Sequence, residues 1–108
     1  MYNLQIAVIG RNKLALSNMK DTLIDLYTRE GRSIHDIREN TMECEGVLYQ
    51  FVENYERCYG RRFDQAWCQD PDYSEWGEYL TQMSCVPEPF KIINFDDVHR
   101  CLYSLKYR

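Results

Sequence analysis

Histidine and cysteine are the side chains of this sequence that combine nucleophilic, basic and metal-binding chemistry. The chain has two histidines, His35 and His99, and His99 lies two residues before Cys101. Such a pair could offer two metal ligands, or a thiol beside a base. A structural zinc site needs about four ligands, and no second pair at metal spacing accompanies this one. We therefore predict no catalytic residues, no metal ligands, no cofactor, and a chain that is not an enzyme.

The cysteines indicate free thiols rather than a disulfide framework. The chain has five of them, an odd number, and no two are closer than ten residues, so the Cys-x-x-Cys spacing of zinc ribbons is also absent. Free cysteines commonly pack as small hydrophobic residues in a reducing compartment. We expect a cytoplasmic protein, in the host cytosol if a phage encodes it. The cysteines also leave open a thiol or metal protein, which is the third and weakest functional interpretation of this sequence.

The middle of the sequence is acidic and rich in aromatic side chains. Residues 40–89 carry a charge of -7 and the two flanks together +3, for a net charge of -4. A dedicated nucleic-acid binder usually carries a basic surplus, which this chain lacks. Aromatic residues make up 14%, and exposed tyrosines suit a binding surface. We predict a surface for a basic partner, with contacts at Glu43, Glu45, Glu53, Asp70, Asp72, Tyr73, Glu75, Trp76 and Glu78.

In size and composition the chain resembles small acidic phage-encoded inhibitors, including DNA mimics and anti-CRISPR proteins. The resemblance is one of type and rests on no shared motif. It implies that carboxylates imitate the spacing of phosphates and occupy a basic channel on another protein. The first functional hypothesis is therefore a non-enzymatic interaction protein that binds a basic protein or nucleoprotein. Its most concrete form is a phage or mobile-element inhibitor of a host nucleic-acid-handling defence complex.

Apolar residues at spacings of three and four predict that most of the chain is helical. We expect a mainly α, single-domain helical bundle over residues 1–108. Residues 4–9 and 90–95 leave open a small two-stranded β element, although residues 4–9 could equally begin a helix. No run is long enough to span a membrane, and a homodimer stays open. The five or six helices are expected to begin near Ser17, Ser33, Thr41, Phe63, Asp72 or Ser74, and Asp96 or Asp97.

Residues 19–53 resemble a helix-turn-helix of the homeodomain-like family. The text Leu-Tyr-Thr-Arg-Glu-Gly-Arg-Ser-Ile-His-Asp-Ile is similar to the first two helices of that family. The resemblance implies a third helix in the DNA major groove, and therefore a DNA-binding regulator as the alternative function. Glu43 and Glu45 depart from the family pattern, because carboxylates are repelled by phosphates. The candidate nucleic-acid contacts are Tyr49, Gln50, Asn54, Arg57, Arg61 and Arg62.

Overall fold

A computed structural model describes residues 4–69, 73–83, 85–87 and 91–106. These residues form an α/β fold, so the prediction of a mainly α bundle is wrong. One mixed sheet has the strand order β2-β3-β1-β4-β5. The strands are β1 Leu4–Gly10, β2 Thr41–Cys44, β3 Val47–Glu53, β4 Gln65–Cys68 and β5 Ile92–Asn94. The helices are α1 Lys13–Arg29, α2 Tyr73–Gln82, α3 Val98–Ser104 and a 3-10 helix, Tyr55–Cys58.

Strand β1 is the centre of the sheet. It runs parallel to β3 on one side and to β4 on the other, and β4 runs parallel to β5. A parallel strand is covered on both faces, which explains why residues 4–10 are apolar almost throughout. Within this strand only Gln5 is exposed. Residues 4–9, for which the sequence left strand and helix open, form a strand, and β5 lies within 90–95. These two strands do not form the predicted pair, because β4 separates them.

Helices cover both faces of the sheet and divide the core into two clusters. On one face, α1 contributes Met19, Leu23 and Tyr27, and α3 contributes Cys101. On the other face, α2 contributes Trp76 and Leu80 to a cluster beneath the 3-10 helix. Burial of these apolar side chains against the sheet is the main stabilising contribution, at roughly 25 cal/mol per Å² of apolar surface.

Local capping explains where the helices begin and end. The side chain of Asn12 accepts a hydrogen bond of 2.9 Å from the backbone nitrogen of Ala15, so α1 begins before the predicted Ser17. It ends before Gly31, whose φ of +67° continues no helix. Asp97 caps α3 through the backbone nitrogen of Arg100 at 3.3 Å. The helices predicted from Ser17, from Asp72 or Ser74, and from Asp96 or Asp97 are present as α1, α2 and α3.

The helix predicted to begin near Thr41 is wrong. Thr41 begins a β-hairpin whose two-residue turn is Glu45 and Gly46, with φ values of 49° and 84°. Positive φ at both positions is the requirement of the type I′ turns that join hairpin strands. Strand β3 is apolar on both faces, and its closely spaced apolar residues therefore imitated a helical stripe.

The helix-turn-helix interpretation is also wrong. Residues 33–40 form no helix, and within them Ile37 makes an antiparallel bridge to Met42. The helical turn predicted at Phe63 to Trp67 is replaced by β4. Residues 19–53 therefore contain one helix and a hairpin, and no third helix exists there to enter a major groove. In the ranges that the structure describes, no helix is long and apolar enough to cross a membrane.

Candidate functional site

The predicted acidic contacts do not lie on one surface. Glu43 and Glu45 lie at the β2–β3 turn, whereas Glu53 ends β3. Strand β3 separates them by about 20 Å, at roughly 3.3 Å per residue. Glu75 and Glu78 lie on α2, together with the buried Trp76. Two further predicted residues, Asp70 and Asp72, fall outside the described residues, and Tyr73 is described by its backbone alone.

Part of the predicted set meets three tyrosines that sequence reasoning did not single out. We define the acidic-aromatic patch as Tyr55, Glu56, Tyr59, Glu75 and Tyr79, with Trp76 beneath it. The ring of Tyr55 lies 5.4 Å from that of Trp76 and 4.8 Å from that of Tyr79. Its hydroxyl donates to Oε1 of Glu75 at 3.1 Å. Tyr59 is 71% exposed. The patch joins aromatic faces to two exposed carboxylates.

Two elements hold the patch together. Asn54 follows β3 with a φ of 70° and redirects the chain into the 3-10 helix. Its side chain accepts a hydrogen bond from the backbone nitrogen of Glu56 at 3.4 Å. Helix α2 supplies Glu75 and Tyr79 at a spacing of four residues, which places them on one face. The sequence alone predicts that residues 75, 76 and 79 lie on one helix. The contact of Tyr55 with that helix depends on how the sheet places the end of β3.

The charge of the patch comes from carboxylates rather than phenolates. The hydrogen bond to Glu75 is the largest cause that raises the pKa of Tyr55. Burial is the largest cause that raises the pKa of Tyr79. Both phenols therefore keep their protons at neutral pH. Neutral rings beside Glu56 and Glu75 form an environment that favours a guanidinium or an ammonium group, through cation–π attraction and charge.

The predicted nucleic-acid contacts divide between a cleft and the core. Gln50, Arg57 and Arg61 line a cleft of about 710 Å³ between α1 and the end of β3. A guanidinium nitrogen of Arg61 donates to the side-chain oxygen of Gln50. Arg62 is exposed and does not line the cleft. Asn54 directly follows Glu53, which does line it. Tyr49 is fully buried and its hydroxyl lies 2.7 Å from that of Tyr27, so it contacts no ligand.

Sequence reasoning missed two cations of this cleft. Lys13 and Lys20 enter the lining from α1, on the same side of the helix as Leu16 and Ser17. Spacings of three, four and seven residues are the signal of one helical face, and they could have grouped these residues. Nothing in the sequence places that face opposite Arg57 and Arg61.

The five cysteines are free and buried, as predicted. Burial is the main cause that raises the pKa of Cys44, Cys58 and Cys101 to about 12. A thiol with a pKa so high stays protonated at neutral pH and is a poor nucleophile. Within the described part of the chain, no group of three or more histidine, cysteine or acidic side chains could hold a metal ion.

Comparison with known proteins identifies a relative in fold alone. No family model and no curated protein sequence matches the chain. The structure is similar to part of the large terminase of a thermophilic bacteriophage, solved in complex with ADP, with a TM-score of 0.54 and 11% identity. The match covers 87% of this chain and 26% of the terminase, so the chain spans about a quarter of that protein. At this identity the similarity concerns the arrangement of the sheet and helices.

Proposed function

We propose that this chain is a non-enzymatic binding protein whose acidic-aromatic patch recognises a basic protein or nucleoprotein partner. The observation that supports the proposal best is the packing of Tyr55 against Trp76 and Tyr79, with its hydroxyl bonded to Glu75. A fixed ring lowers the entropy cost of binding, and a carboxylate held beside it orients an incoming cation.

The surroundings of the patch extend this binding surface. Tyr59 and Met83 are among the exposed large hydrophobic residues, and Met83 lies one helical turn beyond Tyr79 on the same face. Aromatic and methionine side chains are enriched at interfaces relative to the rest of a protein surface, and grouped exposed apolar residues mark interaction sites. Glu78 is exposed on the same helix and adds to the negative charge. The partner is therefore expected to present arginine or lysine next to apolar contacts.

The most concrete form of the proposal is an inhibitor, encoded by a phage or mobile element, of a host complex that handles nucleic acids. The negative net charge of the chain and the position of the patch support a target with a basic channel. The fold is similar to part of a phage protein. Opposite charge would steer the encounter, so association should be fast and should slow as salt is added.

The experiment compares three baits in the native host: the wild-type chain, Glu56→Gln/Glu75→Gln, and Glu43→Gln as a control. The control removes the same kind of charge at the distant β2–β3 turn. We expect a basic protein that the wild type and the control retain, and that the double variant binds about tenfold more weakly in a titration with the purified partner. Nuclease treatment of the extract distinguishes a nucleoprotein from a protein. Equal binding by all three baits at low salt would contradict the proposal.

A further inference from the structure

We propose that the cleft between α1 and β3 binds a small molecule that carries two or more phosphate groups. This inference concerns a surface separate from the acidic-aromatic patch, and it stands or falls without it. The cleft is lined by four cations and two carboxylates, namely Lys13, Lys20, Arg57, Arg61, Glu39 and Glu53. A local charge of +2 in a chain whose net charge is -4 is the first observation that points to an anionic ligand.

The described parts of the protein do not neutralise the positive charge of the cleft. Among the residues that the structure describes, Lys13 and Arg57 make no side-chain hydrogen bond or ion pair. The other two cations are held by neutral oxygens: Lys20 donates to the backbone oxygens of Arg38 and Glu39, and Arg61 donates to the side-chain oxygen of Gln50. No described carboxylate neutralises any of the four, so the charge remains available to a ligand.

The spread of the cations indicates more than one phosphate. Lys13 and Lys20 lie seven residues apart along α1, which corresponds to about 10 Å at 1.5 Å per residue. Arg57 and Arg61 enter from the opposite wall, after the 3-10 helix begins. This spacing separates backbone positions, and the Lys20 ammonium is held on the backbone oxygens of Arg38 and Glu39. A row of phosphates can therefore meet Lys20 and the other cations of the lining together more readily than one tetrahedral anion can. Guanidinium groups also bind phosphate oxygens in a bidentate geometry.

Size and position favour a small molecule over a nucleic-acid strand. The cleft volume of about 710 Å³ lies within the usual range of small-molecule sites, roughly 300–1,000 Å³. It adjoins the carboxyl end of β3, and ligands of open α/β sheets bind at the carboxyl ends of strands. The neighbouring acidic-aromatic patch and the negative net charge would repel a long polyanion, but they leave a compact ligand in the cleft.

Calorimetric titration of the full chain with inorganic triphosphate tests the proposal. We expect one saturable site, and we expect Lys13→Ala/Arg57→Ala to weaken it at least about tenfold, because two charge-assisted contacts are lost. Glu53→Gln should strengthen it, since a repelling carboxylate is removed. Arg29→Ala is the matched control: this cation is on the same helix, about 24 Å from Lys13, and it pairs with Asp25. Circular dichroism checks that each variant folds.

Three outcomes would overturn the assignment. The first is the absence of saturable binding with a Kd of about 1 mM or lower, a binding free energy of about -4 kcal/mol. The second is an equal loss of affinity in the Arg29→Ala control, because triphosphate would then be attracted by positive charge anywhere on the protein. The third is a single-stranded oligonucleotide that binds more tightly than triphosphate in a mobility-shift titration, which would assign the cleft to a nucleic-acid backbone. A nucleoside triphosphate in parallel shows whether the ligand needs a base as well as phosphates.

Discussion

At the residue scale, side-chain chemistry was easier to predict than side-chain position. The number and spacing of the cysteines predicted that they are free, and the helical spacing of Trp76 and Tyr79 indicated α2. Tyr49 was misplaced as a nucleic-acid contact, because a strand buried on both faces hides its alternate residues in the core. No local pattern reveals that a hydroxyl 22 residues away will become its partner.

The hydrogen bond between the buried Tyr27 and Tyr49 hydroxyls gives a prediction about stability. Tyr49→Phe leaves the Tyr27 hydroxyl buried without this partner, and should lower the free energy of unfolding by about 1–3 kcal/mol. Adding Tyr27→Phe removes the stranded group, so the double variant should lose less than the sum of the single losses. Arg32 lies 4.4 Å from the Tyr27 ring centroid and can also contact phenylalanine there.

Urea unfolding measures these differences, with Tyr59→Phe as the control at an exposed hydroxyl. A Tyr49→Phe variant no less stable than this control would show that the buried hydroxyl pair contributes nothing. Additive losses in the double variant would show that the two hydroxyls act independently.

At the element scale, helices with one apolar stripe and a clear cap were predicted, whereas strands were mostly missed. Helices α1 and α3 carry side-chain caps at Asn12 and Asp97, and each packs one face on the sheet. Strand β3 carries apolar residues on both faces, so period two and period 3.6 fit its seven residues almost equally well. The pair Glu45 and Gly46 could have indicated the hairpin in place of a helix, because a glycine between two short apolar runs favours a hairpin.

Two glycines are predicted to respond oppositely to alanine. A Cβ at Gly10 would lie 3.0 Å from two side-chain atoms of Leu16 and 3.1 Å from its backbone nitrogen, at the tight β1–α1 connection. Gly10→Ala should therefore cost about 1–3 kcal/mol. A Cβ at Gly77 would meet Ile92 at 3.6 Å, an ordinary contact within α2, so Gly77→Ala should stabilise the helix by up to about 1 kcal/mol.

Thermal unfolding of the two variants beside the wild type decides the matter. A lower melting temperature for Gly10→Ala and a higher one for Gly77→Ala are expected. An unchanged or higher melting temperature for Gly10→Ala would mean that the β1–α1 connection is not as closely packed as the structure indicates.

At the scale of the whole molecule, two surfaces of opposite charge meet at the 3-10 helix. Glu56 of this helix and Tyr59 directly after it belong to the acidic-aromatic patch, while Arg57 of the same helix lines the cleft. The overall negative charge predicted an acidic surface but concealed the basic cleft, because a sum over the sequence says nothing about where each charge lies. Long-range placement of this kind depends on the order of strands, which no local pattern encodes.

The buried ionisable groups predict that the fold loses stability in alkali. Burial raises the pKa of Cys44, Cys58 and Cys101 from 9.0 to about 12. Between these values the folded chain keeps protons that the unfolded chain has released. The free energy of unfolding should therefore fall as the pH rises from about 9 to 12, by up to about 1.4 kcal/mol per pH unit for each group.

Urea midpoints measured at neutral pH and at steps above pH 9 check this, with Cys101→Ala as a variant that removes one titrating group. The variant is less stable at neutral pH because of its cavity, but its stability should decline less steeply with pH. A midpoint that stays constant above pH 9 in the wild type would exclude this account.

The segment before β2 has a consequence for self-association. The backbone nitrogen of His35 donates to the oxygen of Glu43, and that of Arg38 to the oxygen of Thr41, each at 2.8 Å. Together with the Ile37–Met42 bridge, these bonds cover an edge strand that would otherwise offer its peptide groups to another molecule. Conditions that detach this cover convert the outer strand into a template for intermolecular β pairing. Oligomers and fibres formed from the native state would then grow from this border of the sheet.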